Sequence, residues 1–171
     1  MGDMRRVLAV KSQQRGRKVM CNKEISVVDF LDSPANIPFI VEDLLDLPTG
    51  PIRKISSGGY VTAALTTGND LYVWGGRPGQ EKILEQLSGT PEPVDLDGDI
   101  LDVGVGANHI VALTTEHKLY VVGANGNGQL GLDVDKLSEW REVALALKEN
   151  EHVTSVHAGY KNSFVTVENI T

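Results

Sequence analysis

Hydrophobic and polar positions alternate with a period of two over residues 60–65 and again over 108–113. Val61, Ala63 and Leu65 alternate with Tyr60, Thr62 and Ala64; His109, Val111 and Leu113 alternate with Asn108, Ile110 and Ala112. Successive side chains of an extended strand point to opposite faces, so this period predicts β-structure rather than helix. A turn follows each stretch, Thr67-Gly68-Asn69-Asp70 and Thr115-Glu116-His117-Lys118, with Gly, Asn and Asp suited to hairpin backbone angles. A short apolar strand comes next, Leu71–Trp74 or Leu119–Val122. Both of its faces are apolar, so both must be covered, unlike a sheet with one wet face.

These stretches belong to an internal repeat. Ile52–Gly75 aligns with Ile100–Gly123 at an offset of 48 without a gap, and 10 of 24 positions are identical. A third copy opens at Val153, with Val153, Val156 and Gly159 standing where Ile100, Val103 and Gly106 stand, and the given sequence stops after its second strand. Short segments with apolar residues introduce the units: Val41 and Leu44, Pro93–Leu96, and Glu142–Leu145. A unit therefore reads as four short strands. Strands buried on both faces, repeating near every 50 residues, predict stacked blades, each covered by its neighbours. The fold expected is all-β, an incomplete β-propeller of two to three four-stranded antiparallel blades. Its units start near residues 52, 100 and 153 within a repeat region spanning 34–171, behind a basic arm at 1–33 that is partly disordered or a degenerate blade piece.

The loop after the second apolar strand reads Gly123-Ala124-Asn125-Gly126-Asn127-Gly128-Gln129-Leu130-Gly131, and Gly106, His109, Ala112 and Leu113 precede that strand at fixed spacing. Two motifs in this order, within a recurring unit, resemble the regulator of chromosome condensation repeat. That family's founder is the chromatin-bound exchange factor for the GTPase Ran. The resemblance spans roughly residues 34–167. It implies a propeller and marks Gly58, Gly106, His109, Gly123, Asn125, Gly128, Gln129, Gly131 and Gly159 as structural motif positions, with the His109 ring bridging backbone groups between blades. The first unit has Val61 and the third Asn162 at the histidine position, and Gly75-Gly76-Arg77-Pro78-Gly79-Gln80 replaces the Gly-Asn loop in the first. Family members usually have seven blades, with one completed by strands from both chain ends, whereas this sequence supplies fewer than three; a complete small protein and a fragment of a longer propeller are both open readings. Kelch-type repeats share the period, but after the apolar strand their double glycine stands only in the first unit (Gly75-Gly76), with Gly123-Ala124 in the next.

Composition narrows the function. The 171 residues carry a net charge of −7, with 41% hydrophobic and 23% charged residues, a globular rather than disordered balance. No apolar run approaches the roughly 20 residues of a membrane-spanning helix, and no secretory signal peptide stands at the start, so no membrane partner is expected. A single cysteine, Cys21, forms no internal disulfide and suits a reducing compartment, cytoplasmic or nuclear, in which the sequon at Asn169 goes unglycosylated. Residues 1–23 hold seven Lys/Arg against the single acid Asp3, whereas the rest holds nine against 22 acids. The acidic body repels phosphate backbones, which leaves the arm (Arg5, Arg6, Lys11, Arg15, Arg17, Lys18) as the one place for nucleic acid. A solvated terminus is the simplest reading of that arm, ahead of a nuclear-localisation patch, a transit peptide or an anionic-surface arm. The start resembles a myristoylation signal but lacks Ser or Thr at position 6.

Candidate chemistry is sparse. Gly126–Gly131 spells G-x-G-x-x-G, but a dinucleotide fingerprint must open a helix whose N-terminus holds the pyrophosphate. Leu137–Asn150 could just form one, with Trp140, Ala144 and Leu147 on one face, yet Val143 and Leu145 align with Val94 and Leu96 as a strand. The acidic run Asp95–Asp102 lacks the Gly and Glu that a calcium loop requires at positions 100 and 106 and reads as turn carboxylates. His109, His117, His152 and His157 show no metal-ligand spacing. Trp74 reads as core, and Trp140 as a linker residue, either packed or a contact. The function expected is a non-catalytic protein-interaction module without cofactor, metal or small-molecule substrate. The alternative is guanine-nucleotide exchange on a small GTPase, and a dinucleotide-binding enzyme ranks last.

Overall fold

The computed structural model describes residues 28–29, 39–76, 82–85 and 87–169. The basic arm's motifs, Cys21 and Thr171 of the sequon lie outside them. Among the described residues there is no α-helix; a single 3₁₀ turn spans Glu42–Leu44. The strands are β1 (Val28–Asp29), β2 (Phe39–Ile40), β3 (Ile52–Gly58), β4 (Val61–Thr66), β5 (Leu71–Gly75), β6 (Glu92–Pro93), β7 (Ile100–Val105), β8 (His109–Thr114), β9 (Leu119–Ala124), β10 (Lys136–Val143), β11 (Glu151–Ala158) and β12 (Ser163–Asn169). They build two four-stranded antiparallel sheets in sequence order, β3-β4-β5-β6 and β7-β8-β9-β10, followed by the two-stranded β11-β12 and preceded by the small pair β1-β2. The larger sheets and β11-β12 are blades 1, 2 and 3 of a partial propeller.

The repeat phase differs from the sequence expectation. The segments at 92–93 and 136–143 do not introduce a unit; they pair with β5 and β9 and close the blade before them. Val41 and Leu44 flank and end a 3₁₀ turn rather than forming a strand. The apolar pattern of these segments marks burial, and it carries no information about which neighbouring sheet they join.

Alternation explains how the blades stack. Val61, Ala63 and Leu65 on one face of blade 1 meet Ile110, Ala112, Tyr120 and Val122 of blade 2 in one cluster. The opposite face of blade 2, Val111, Leu113, Leu119 and Val121, meets Val153 and Val156 of blade 3. The outer face of blade 1, Ala64 and Trp74, is covered by Val41 and Leu44. All residues of β4 and β8 are therefore buried, and the core is the set of blade junctions. Burying each Val, Leu or Ile contributes about 1.5–3 kcal/mol.

Turn chemistry fits the hairpins. The left-handed position of each β-turn after β4 and β8 is taken by Asn69 (φ 72°) and His117 (φ 63°). Asn adopts this region more readily than most residues, and His more than a β-branched side chain would. The stretch 137–150 forms no helix: β10 pairs with β9, which places Trp140 on a strand, half-buried against the cluster between blades 1 and 2.

Candidate functional site

Strand direction sorts the connections onto two rims. The β3–β4, β7–β8 and β11–β12 turns and the long loops after β5 and β9 lie on the first rim. Gly76 N–H donates to Tyr60 O (2.7 Å) and Ala124 N–H to Asn108 O (2.8 Å), which hold each long loop beside the turn of its own blade. Gly59 abuts the Ala107 carbonyl, and Ala107 N–H donates to Tyr160 O at 3.0 Å. The three turns thus form one continuous edge. It exposes Asn108, Lys161, Asn162 and Tyr160, the last 76% accessible.

Beneath this edge sits the histidine of the repeat motif. His109 is fully buried at the start of β8, with Nε2 3.0 Å from Ser163 Oγ on blade 3. Ser163 Oγ donates its hydrogen to Gln129 O at 2.8 Å, so His109 Nε2 carries the proton and donates to Ser163. Nδ1 is left buried without a partner. Burial holds the imidazole below its ordinary value of 6.5, with the Asn162 backbone opposing in part. The ring stands where a Cβ on Gly106 would have to go, so only glycine fits there. Asn162 stands over Gly159 in the same way in blade 3. Gly58 lies against the Val105 and Gly106 carbonyls of blade 2 instead.

The Gly123–Gly131 loop is held by its own polar groups. Gly123 (φ 113°) lets β9 pass against the Asn108 carbonyl. Asn125, 7% exposed, donates through Nδ2 to Leu132 O (2.7 Å) and Val134 O (2.6 Å) and accepts from Leu130 N–H (2.8 Å). Gln129 Oε1 accepts from Asn127 N–H, Gly128 N–H donates to Asn125 O, and Gly131 N–H to Gly128 O. This loop leads into β10 and opens no helix, so it lacks the geometry that cradles a pyrophosphate. Leu130 turns inward to the junction of blades 2 and 3. The unrelated loop of blade 1 does the same with Ile83, Leu84 and Leu87 at the other junction.

The second rim carries exposed Asp95, Asp97, Asp99 and Glu116. Lys118 bridges Glu116 (2.9 Å) and Asp97 (3.6 Å), and those partners hold its ammonium above its ordinary value. Here His117 Nδ1 donates to Val153 O (2.9 Å) and its ring meets His152 edge-to-face at 4.5 Å. No spacing rule links residues 35 apart, so sequence alone could not pair them. Asp102 is not a turn carboxylate; it is buried on β7. Among the described residues no group of three or more His, Cys, Asp or Glu side chains could hold a metal ion, and no helix is long and apolar enough to cross a membrane.

Residues 100–129 match the model of the regulator of chromosome condensation (RCC1) repeat. The chain is 36% identical over 85 residues to the mouse regulator of chromosome condensation, covering 47% of this chain and 20% of that protein. It is 37% identical over 87 residues to the Arabidopsis RCC1 domain-containing protein RUG3, mitochondrial, covering 48% and 20%. Among solved structures, Saccharomyces cerevisiae Prp20p superposes with a TM-score of 0.62 at 18% identity, over 78% of this chain and 34% of that one. The chain thus spans about a fifth of the length of these curated relatives.

Proposed function

We propose that this chain, a partial propeller of the regulator of chromosome condensation repeat family, is a non-catalytic protein-interaction module that binds through its first rim. The observation that carries the reading is the continuous edge of three neighbouring turns, with Tyr160 largely exposed beside Lys161. An exposed aromatic on a rigidly held loop suits an interface anchor. The polar side chains below it, His109, Asn125 and Gln129, are occupied in holding the loops. Support also comes from Prp20p, whose structure is described together with its binding properties to Gsp1p and histones. The working division of the chain remains a basic arm at 1–33 and repeats from 34 onward. The nucleus or cytoplasm is the proposed location, although one matched relative is named as mitochondrial.

Affinity capture with the wild-type chain, a Tyr160→Ala/Asn108→Ala variant and an Asp97→Asn/Glu116→Gln variant tests this reading. The first-rim changes should cost at least one captured protein roughly tenfold or more in recovery, as loss of an aromatic anchor does. Equal recovery with all three chains overturns it. Exchange on a small GTPase is the second reading, favoured by the Gsp1p binding of that relative. It requires tighter binding of the nucleotide-free GTPase, and fluorescent GDP release that stays at the intrinsic rate excludes it.

A further inference from the structure

Each inner strand breaks register at the same place: between Ile52 and Lys54, between Ile100 and Asp102, and between Val153 and Ser155. A bulge leaves backbone groups unpaired and re-aims the side chain that follows it. In blade 2 the freed carbonyls are taken from blade 1, where Arg53 Nη2 donates to Leu101 O (2.6 Å) and Ile100 O (3.2 Å). In blade 3 the equivalent carbonyl of Val153 accepts from His117 of blade 2. The re-aimed residue of blade 2 is Asp102, 8% exposed. Its Oδ1 accepts from Lys54 Nζ of blade 1 (2.6 Å) and from its own neighbour Val103 N–H (2.9 Å), while Oδ2 accepts from Val156 N–H of blade 3 (2.9 Å). One carboxylate is bonded to all three blades. Hydrogen bonds to a buried charge are the strong ones, and removing the charge leaves the donors facing one another.

We infer that Asp102 is a three-blade tie: it couples blade 3 to blades 1 and 2 so that the three open as one cooperative body. The inference rests on the blade packing alone and is independent of the partner-binding reading. Asparagine at this position preserves shape but must turn its amide N–H groups toward Lys54 or toward Val156 N–H, donor against donor. Ser56 provides the control, because its Oγ accepts from Val105 N–H (2.9 Å) and joins blades 1 and 2 only.

Native-state hydrogen exchange of the 171-residue chain, followed by NMR at rising denaturant, tests the tie. In the wild type the slow amides of β4, β8 and β11 should exchange through one opening with a common denaturant dependence. In Asp102→Asn one arm is lost, so either the β11 amides, Val156 first, or the β3 and β4 amides should exchange roughly 10- to 100-fold faster while the other strands keep their rates; Ser56→Ala should produce no such split. Equal acceleration of all three strands, or unchanged rates in all of them, overturns the inference. Should Asp102→Asn fail to fold, Lys54→Met decides, since it severs the blade 1 arm and spares Val156. Selective loosening of β3 and β4 supports the tie, and uniform loosening refutes it.

Discussion

At the scale of single residues, the molecule uses polar side chains as fasteners between blades. His109 reaches Ser163 across a junction, and Ser163 reaches Gln129. Because burial lowers its pKa, the folded state favours neutral imidazole. The unfolded chain, with its ordinary value of 6.5, then binds more protons than the folded one as pH falls. The stability owed to neutral His109 is complete above about pH 6.5 and is lost as pH drops through the folded-state value. Urea denaturation should therefore show stability rising between pH 5 and 7. His109→Gln should flatten that rise and cost about 1–3 kcal/mol at pH 7 for the broken buried bond. An unchanged slope in the variant would assign the pH dependence to other groups. The motif spacing made His109 legible in the sequence. Its acceptor was not, since Ser163 lies 54 residues away and in a different unit. Asp102 was misread for a related reason: a carboxylate in an acidic run looks solvated until the bulge that turns it inward is seen.

At the scale of elements, each blade junction is sealed twice, once by strand faces and once by a loop that folds back over it. Leu130 does this for blades 2 and 3, and Leu84 for blades 1 and 2, each about 1–2% exposed. Leu130→Ala should cost about 2–5 kcal/mol in urea unfolding, as for other buried leucines. A cost below 1 kcal/mol would show that the loop is not a seal. The strands were legible because alternation survives in β4 and β8: one parity of β8 faces each neighbouring blade, and in β4 one parity faces blade 2 and the other the Val41–Leu44 segment. The outer strands were placed in the wrong unit, because β6 is only two residues long and the bulged β10 has a broken pattern. The loop of blade 1 was legible only as a departure from the Gly-Asn motif. Its apolar residues, spaced differently from Leu130, reach the same kind of junction by another path.

At the scale of the whole molecule, the two rims differ in character. The second is strongly acidic around Asp95, Asp97, Asp99 and Glu116, while the first joins three turns into one edge bearing Tyr160 and Lys161. The net charge of −7 was plain from composition, yet the gathering of Asp95, Asp97, Asp99 and Glu116 at one rim depends on which turns the strand directions bring together. The His109–Ser163 bond beneath it and the Ala107–Tyr160 bond within it hold the first rim as one surface, so recognition there needs little rearrangement. The most direct measurement is a hydrogen-exchange footprint of the chain with and without a partner recovered by affinity capture. The expected result is protection concentrated at residues 59–60, 107–108, 124–131 and 159–162. Protection at 67–70, 95–99 and 115–118 instead would place recognition on the acidic rim and contradict the proposal.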